Sequence, residues 1–264
     1  MTGVQTCALP ICAIAKTYFA DKMNIDPKNI VVVSVMPCLA KKYEAARDEL
    51  KHDNLRDVDI VITTRELAKM IKEAGIDFNS LKDDDFDDPL GESTGAAVIF
   101  GASGGVLEAA VRTAYEWVTG KTGPPIEFHS IRGLEGSKSA TIEINDMLVN
   151  VAVTSGLGNA RKLLESIKSG ESSYHIIEIM ACPGGCIGGG GQPYSHGDVG
   201  ILNKRVDAIY KEDNSKAIRK SHENPSIKKL YSEFLGEPYG EKAHELLHIH
   251  FIDRKFLKDR KSVV

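Results

Sequence analysis

Two cysteines followed by a run of glycines form the part of this sequence best suited to chemistry. Cys182 and Cys186 are four positions apart, and glycines occupy positions 184, 185 and 188–191. The largely apolar residues 176–180 predict a buried strand, so both thiols fall in the loop at its carboxyl end. Glycine has no Cβ, so such a loop allows its backbone to approach a bulky group closely. Thiolates together with bare backbone favour an iron–sulfur cluster over a single zinc ion.

A second segment has the same arrangement. Cys38 follows the apolar residues 30–35, and Met36 precedes it by two positions, as Met180 precedes Cys182. Each segment therefore supplies a soft thiolate and an adaptable thioether to one site. Lys41 follows Cys38 by about one helical turn, which makes its ammonium group a candidate donor to an anion bound there.

These segments resemble two signatures of the iron-only (FeFe) hydrogenases. Residues 36–44 are similar to the second signature of that family, and residues 178–193 are similar to the third. Residues 57–68, 93–108 and 221–225 also resemble family segments, and the resemblance runs from about residue 13 to residue 258. It implies an α/β, two-lobed large-subunit fold, with mostly parallel sheets flanked by helices and a cluster cleft between the lobes.

The resemblance also implies the cofactor known as the H-cluster. This is a four-iron four-sulfur cubane joined through a cysteine sulfur to a two-iron centre with carbonyl, cyanide and bridging amine dithiolate ligands. By analogy, Cys38 and Cys182 ligate the cubane, and Cys186 ligates it while bridging to the two-iron centre.

Five further residues are expected near that cofactor. By the resemblance, Lys41 hydrogen-bonds a cyanide ligand, and Met36 and Met180 contact the two-iron centre. The loop Gly101-Ala-Ser-Gly-Gly105 follows a predicted strand but lacks the Gly-x-Gly-x-x-Gly spacing of a dinucleotide site. We interpret it instead as backbone lining the cluster cleft, with Phe100 and Gly101 close behind the cofactor.

The implied function is an oxidoreductase that reversibly reduces two protons to hydrogen. Its implied partners are an electron carrier, either ferredoxin or NAD(P)H-linked subunits, and the hydrogenase maturation proteins. The family's first signature, Thr-Ser-Cys-Cys-Pro, has no match here, since neither Cys7 nor Cys12 stands in such a context. The chain thus lacks a fourth cubane ligand and a proton-relay cysteine, and we expect it to be an inactive fragment on its own.

The two ends of the chain are unusual when their residues are translated back into codons. Residues 2–11 back-translate without a mismatch into a widely used short-read sequencing adapter, and residues 259–264 into the opposite adapter with a stop codon. We therefore expect residues 1–12 and 259–264 to be adapter artefacts, with a partial H-cluster domain at 13–258. On this hypothesis Cys7 and Cys12 are not native.

Two other classes of function stay open. A hydrogen sensor or an iron–sulfur assembly factor would share much of the same sequence; Met36, Lys41 and Met180 favour a two-iron pocket over the assembly factor. His244-Glu245-Leu-Leu-His248 matches the zinc-protease pattern of two histidines and a glutamate on one helix face. No glutamate follows as a third ligand, and we favour a terminal helix that docks on the domain.

Composition agrees with a cytoplasmic enzyme. The chain has 264 residues, 42% hydrophobic content and a net charge of −4 without a basic block, which argues against nucleic-acid binding. No apolar stretch approaches the roughly 20 residues of a membrane span.

Periodicity predicts alternating strands and helices. Strands are predicted at residues 30–35, 60–63, 96–100, 140–145, 148–154 and 174–179, the fourth and fifth forming a hairpin around Asn145-Asp146. Helices are predicted at 41–50, 66–74 with Thr64 as N-cap, 106–117 and 160–168. Repeated strand–loop–helix units favour an α/β architecture.

Overall fold

The computed structural model describes residues 9–121, 132–134 and 136–248. The chain divides into two compact units. Unit 1 comprises Met1–Ser34, Tyr43–Ile60 and Tyr231–Val264, and unit 2 comprises Val35–Lys42 and Val61–Leu230. Cys7 and most of the adapter-like residues, 1–8 and 259–264, lie outside the described residues.

Unit 1 is built from helices and one short hairpin. Helix α1 (Leu9–Ile14) continues through a π-helical stretch, Ala15–Phe19, into α2 (Ala20–Lys22). Cys12 is buried in α1, and the buried Lys16 ammonium binds the Asp59 carboxylate at 2.7 Å and the Arg56 carbonyl at 2.6 Å. Strands β2 (Lys51–His52) and β3 (Leu55–Arg56) pair antiparallel, and α10 (Glu241–Leu247) contacts α1.

Strands β1 (Val33–Met36) and β4 (Ile60–Thr63) form a two-stranded sheet. Helix α3 (Ala40–Glu44) follows β1 and is shorter than predicted, because turns replace the helix from Ala45 onward. Helix α4 (Thr64–Glu73) follows β4, and its N-cap is Thr63 rather than Thr64. The reason is a capping box: the Thr63 hydroxyl accepts from the Glu66 N–H, and the Glu66 carboxylate accepts from the Thr63 N–H.

The main sheet of unit 2 has three strands. Strands β5 (Ser137–Ile144) and β6 (Met147–Ser155) pair antiparallel, and β6 pairs parallel with β7 (Ile176–Met180). The predicted hairpin is confirmed: Asn145 and Asp146 have φ values of 45° and 60°, as a two-residue turn with both central residues left-handed requires. Helix α7 (Leu157–Ser169) makes the crossover between the parallel strands.

A long helix covers this sheet. Helix α6 (Gly105–Thr119) packs Leu107 and Val111 against β5 and β6 in the largest apolar core of the described residues, with Ile142, Ile144, Val151 and Val153. Helices α8 (Val199–Ser215) and α9 (Pro225–Leu230) complete unit 2. Burying these branched side chains supplies the main stabilisation of the unit.

The strand predicted at residues 96–100 is wrong. The segment forms α5 (Gly95–Val98) and a 3₁₀ turn, Ile99–Gly101. The Thr94 hydroxyl caps it by accepting from the Ala97 N–H, and the carbonyls of Ile218 and Arg219 accept from the first two helical N–H groups. The N–H groups at the start of this helix thus all have hydrogen-bond acceptors.

Over the described part of the chain, no helix combines the length and apolarity that a membrane crossing needs.

Candidate metal centre

The loop that follows β7 carries Cys182 and Cys186. Gly184 and Gly185 adopt φ values of 75° and 95°, which side-chain-bearing residues rarely reach, and a 3₁₀ turn then covers Cys186–Gly188. The Gly185 N–H donates to the Cys182 carbonyl at 3.0 Å, and the Gly189 N–H donates to the Cys186 carbonyl at 2.9 Å. The loop therefore coils tightly around both cysteines.

The same loop lies backbone against backbone on the Cys38 segment. The Gly191 N–H donates to the Pro37 carbonyl at 2.9 Å. A Cβ atom at Gly189 would lie 2.1 Å from the Pro37 oxygen, and one at Gly191 would lie 2.9 Å from the Cys38 nitrogen. Only glycine permits this approach, so the glycine run is what brings Cys38 to Cys182 and Cys186.

A third segment, the glycine loop 101–105, completes the set of loops around the three cysteines, which we call the cradle. The Ser103 N–H donates to the Gly184 carbonyl at 3.0 Å, and a Cβ at Gly185 would lie 2.6 Å from the Ser103 nitrogen. The Ser155 hydroxyl, at the end of β6, accepts from the Gly184 N–H at 3.2 Å. The glycine loop 101–105 thus forms one wall of the site. Phe100, 36% exposed, and the half-buried Gly101 lie at the start of that wall.

The three sulfur atoms influence each other electrostatically. Burial raises the pKa of the Cys182 thiol, and Cys38 raises it further, while the Gly190 N–H opposes the change. Burial and then Cys182 and Cys38 raise the pKa of Cys186, and Lys41 acts in the opposite direction. Both thiols are therefore protonated at neutral pH without a metal, and metal binding must release those protons.

The spacing of the sulfurs argues against a single ion. Among the described residues, the three cysteines do not form a group whose ligand atoms all lie within 4.8 Å of one another. A tetrahedral zinc site, with Zn–S bonds of about 2.3 Å, would hold them closer than that. By exposed area Cys38 and Cys182 are half-buried and Cys186 is exposed, although enough protein surrounds the Cys186 sulfur to raise its pKa.

The remaining predicted residues belong to the same segments. Met36 ends β1, Met180 ends β7, and both are half-buried, as is Lys41 in α3. The predicted residues Cys38, Cys182, Cys186, Lys41, Met36, Met180, Phe100 and Gly101 all fall within unit 2. Cys12, the other described cysteine, belongs to unit 1.

Glu178 has a role that the sequence did not indicate. Its buried carboxylate accepts from the Gly104 N–H at 2.6 Å and the Leu107 N–H at 2.8 Å, at the N-terminus of α6. Gly104, the N-cap residue, has no side chain for this purpose. Burial raises the pKa of Glu178, while these backbone donors oppose the change. The strand that delivers the cysteine loop is thereby fastened to α6.

The zinc-protease pattern is not maintained. His244 lies in α10, but the helix ends at Leu247, and His248 has an extended backbone with φ −121° and ψ 151°. The group of three possible metal ligands that does occur in the described chain is Glu116, His222 and Glu223, and the Lys220 ammonium already pairs with both of these carboxylates.

Comparison with protein families agrees with this geometry. Residues 2–190 match the model described as iron only hydrogenase large subunit, C-terminal domain. Residues 199–254 match the model described as iron hydrogenase small subunit.

Individual relatives are similarly named. The chain is 58% identical over 245 residues to the NADP-reducing hydrogenase subunit HndD of Solidesulfovibrio fructosivorans, covering 93% of this chain and 42% of that protein. It is 50% identical over 209 residues to the periplasmic [Fe] hydrogenase large subunit of Nitratidesulfovibrio vulgaris, covering 78% and 50%. The cytosolic Fe-S cluster assembly factor narfl of Xenopus tropicalis is more distant, with 29% identity over 245 residues, covering 90% and 51%. The chain thus spans about half the length of these relatives or less.

Solved structures show the same fold. A variant of the [FeFe]-hydrogenase HydA1 from Chlamydomonas reinhardtii superposes with a TM-score of 0.81 and 41% identity, covering 95% of this chain and 70% of that one.

Proposed function

The chain belongs to the iron-only hydrogenase family, and on this premise we propose that it is part of an enzyme that interconverts protons, electrons and hydrogen. The observation that carries the proposal is the cradle in which Cys38, Cys182 and Cys186 meet. Glycine contacts too close for any Cβ bring the three thiols together, with the Lys41 charge acting on Cys186.

The residues present fit an iron–sulfur cubane. They supply three thiols on adjacent segments, beside backbone without side chains. Cys38 and Cys182 would hold the cubane, and Cys186 would hold it and also join it to the two-iron centre. When bound, this cofactor supplies the redox chemistry that combines protons with electrons.

The protein's own contribution is positioning and charge. The Lys41 ammonium would donate to an anionic cyanide ligand, a charge-assisted hydrogen bond. Met36 and Met180 would present polarizable apolar surface to the two-iron centre, and Phe100 and Gly101 would close the site behind it. Met36, Met180 and Phe100 would lower the polarity around the two-iron centre and limit its contact with water.

The alternative function, that of an iron–sulfur assembly factor, can be weighed by comparing two relatives. The assembly factor matches at 29% identity, half the 58% of the hydrogenase subunit HndD. Met36, Lys41 and Met180 would have no task in a protein that keeps only a cubane. We therefore favour hydrogen chemistry, with a hydrogen sensor as the variant that uses the same centre.

Electrons would come from an external carrier. We propose ferredoxin or NAD(P)H-linked subunits as that partner, in keeping with the name of HndD, and maturation proteins that install the two-iron centre. We place the enzyme in the cytoplasm, while the periplasmic name of one relative offers the other compartment.

The proposal is tested at Cys186. In an intact homologue, Cys186→Ser at the matching position should abolish retention of the two-iron centre, and with it the infrared bands of iron-bound cyanide and carbonyl. The matched control is Lys204→Gln, a change at an exposed position of α8, which should leave those bands at full intensity. Full-intensity bands in the Cys186→Ser protein would contradict the assigned role.

A further inference from the structure

Arg205, on helix α8, joins the two ends of the cysteine-bearing loop. Its Nη1 donates to the Ile187 carbonyl at 2.8 Å, and its Nη2 donates to the Pro193 carbonyl at 2.8 Å. Ile187 directly follows Cys186, and Pro193 lies just beyond the glycine run. The planar guanidinium group of Arg205 therefore binds the carbonyl groups that flank residues 188–192.

The face of α8 around Arg205 is turned toward both glycine loops. Leu202 and Ile209 are three positions before and four positions after Arg205, so the three side chains share one helix face. The Leu202 Cδ2 lies 3.9 Å from where a Cβ of Gly188 would be, and the Ile209 Cδ1 lies 3.0 Å from the same point at Gly101. Arg205 thus lies between two side chains of α8 that reach the glycine loops.

A second arginine holds the far end of the loop from another element. The Arg65 guanidinium, on α4, donates to the Gln192 carbonyl at 3.1 Å and lies over the Tyr194 ring at 4.2 Å. The Arg65 backbone N–H also donates to the Gly191 carbonyl at 3.2 Å. Three carbonyls of this loop, those of Ile187, Gln192 and Pro193, are therefore bound to guanidinium groups.

We propose that Arg205 is a positioning residue that sets the loop of Cys182 and Cys186 in the shape that binds the cluster. It acts through the backbone, because both of its hydrogen bonds run to carbonyl groups of that loop. The rigid fork of the guanidinium matches two carbonyls at once, whereas lysine presents a single point charge. The inference rests on the proposed function in that the loop must hold a cluster.

The test compares three variants of the full chain. Arg205→Gln removes the charge and the fork, Arg205→Lys keeps the charge alone, and Lys204→Gln removes a charge from the neighbouring exposed position. In cluster-free protein, alkylation rates of Cys182 and Cys186 are followed by peptide mass spectrometry, with the buried Cys12 as a reference for global unfolding. In reconstituted protein, the loss of cluster absorbance to a chelator is timed.

Both Arg205 variants should lose the cluster about 10- to 100-fold faster than the unmodified chain, and should react faster at Cys182 and Cys186 but not at Cys12. Lys204→Gln should behave as the unmodified chain. Cluster retention in Arg205→Lys equal to that of the unmodified chain would overturn the proposal, because charge alone would then suffice. Unchanged thiol rates would overturn it too.

The two proposals fail in different ways. If the unmodified chain holds no iron while the Arg205 variants still alkylate faster, the loop-positioning role stands and the cluster assignment falls. If Arg205→Gln does not fold, Arg205→Lys carries the comparison with Lys204→Gln.

Discussion

Gly189 and Gly190 offer a direct test of the cradle, because adjacent glycines differ sharply in what a methyl group would meet. A Cβ at Gly189 would lie 2.1 Å from the Pro37 oxygen, which belongs to backbone and cannot rotate away. A Cβ at Gly190 would find only Leu39, at 3.7 Å, an ordinary contact. Neither residue has a positive φ, so strain of the alanine backbone does not enter the comparison.

The expected cost follows from the geometry. Relieving the clash in Gly189→Ala requires the two segments to separate by roughly 1 Å, and overpacking of this kind costs about 1–3 kcal/mol. The hydrogen bond from Gly191 to Pro37 is lost with it, at about 0.5–1.5 kcal/mol. Replacing glycine with alanine also restricts the unfolded chain, which favours the folded state by about 0.4–1 kcal/mol. Both alanine variants share this effect, so it cancels in the comparison. Gly189→Ala should therefore be less stable than Gly190→Ala by about 1.5–4.5 kcal/mol.

The assay is urea unfolding of the cluster-free chain, followed by iron content after anaerobic reconstitution and chelator treatment. Gly190→Ala should keep its iron and Gly189→Ala should lose most of it, because Cys38 moves away from the other two cysteines. Equal unfolding free energies and equal iron contents in the two variants would refute the reasoning, since close backbone contact would then not determine the site.

Three further predictions concern the rest of the chain. Arg112→Met should destabilise the protein by about 3–5 kcal/mol in urea unfolding, because it leaves the fully buried Asp213 carboxylate with one guanidinium fewer; a loss no larger than that of the exposed control Arg161→Met would contradict this. The hydrogen bond to Asp57 raises the pKa of His52 in the folded protein. The stabilisation that this bond gives is therefore complete below the pKa of His52 in the unfolded chain, about 6.5, and is lost as the pH rises through the pKa of His52 in the folded protein. Unfolding free energy should consequently fall more steeply than in His52→Gln as the pH rises above about 6.5, and parallel profiles would exclude this contribution. Finally, the reconstituted chain alone should evolve no hydrogen in a reduced-viologen assay, and robust evolution would show that three cysteines suffice.

Local patterns determined several elements in advance. Asn145-Asp146 predicted the hairpin because its two residues tolerate left-handed backbone. The helix predicted at 160–168 lies within the observed α7, Leu157–Ser169. The strand predicted at residues 96–100 was wrong because a short apolar run has no intrinsic preference between strand and helix. Their structure depends on the carbonyls of Ile218 and Arg219, which lie far along the sequence.

The same distinction applies to the site. Its cysteines were recognisable because thiols and glycines at that spacing are chemically unusual. The residues that hold the loop were not: Arg205 and Glu178 are ordinary charged residues in sequence, and their roles arise from contacts to distant backbone atoms. No local pattern contains that information.

The Glu178 carboxylate also decides what the neighbouring glycine loop can recognise. The N–H groups at the start of a helix commonly attract the phosphates of a nucleotide. Here a carboxylate from the protein's own strand accepts from two of those N–H groups, those of Gly104 and Leu107. An internal anion thus takes the place of an external one, and a pyrophosphate would face a negative charge. A nicotinamide dinucleotide would therefore not bind its phosphates at the start of α6.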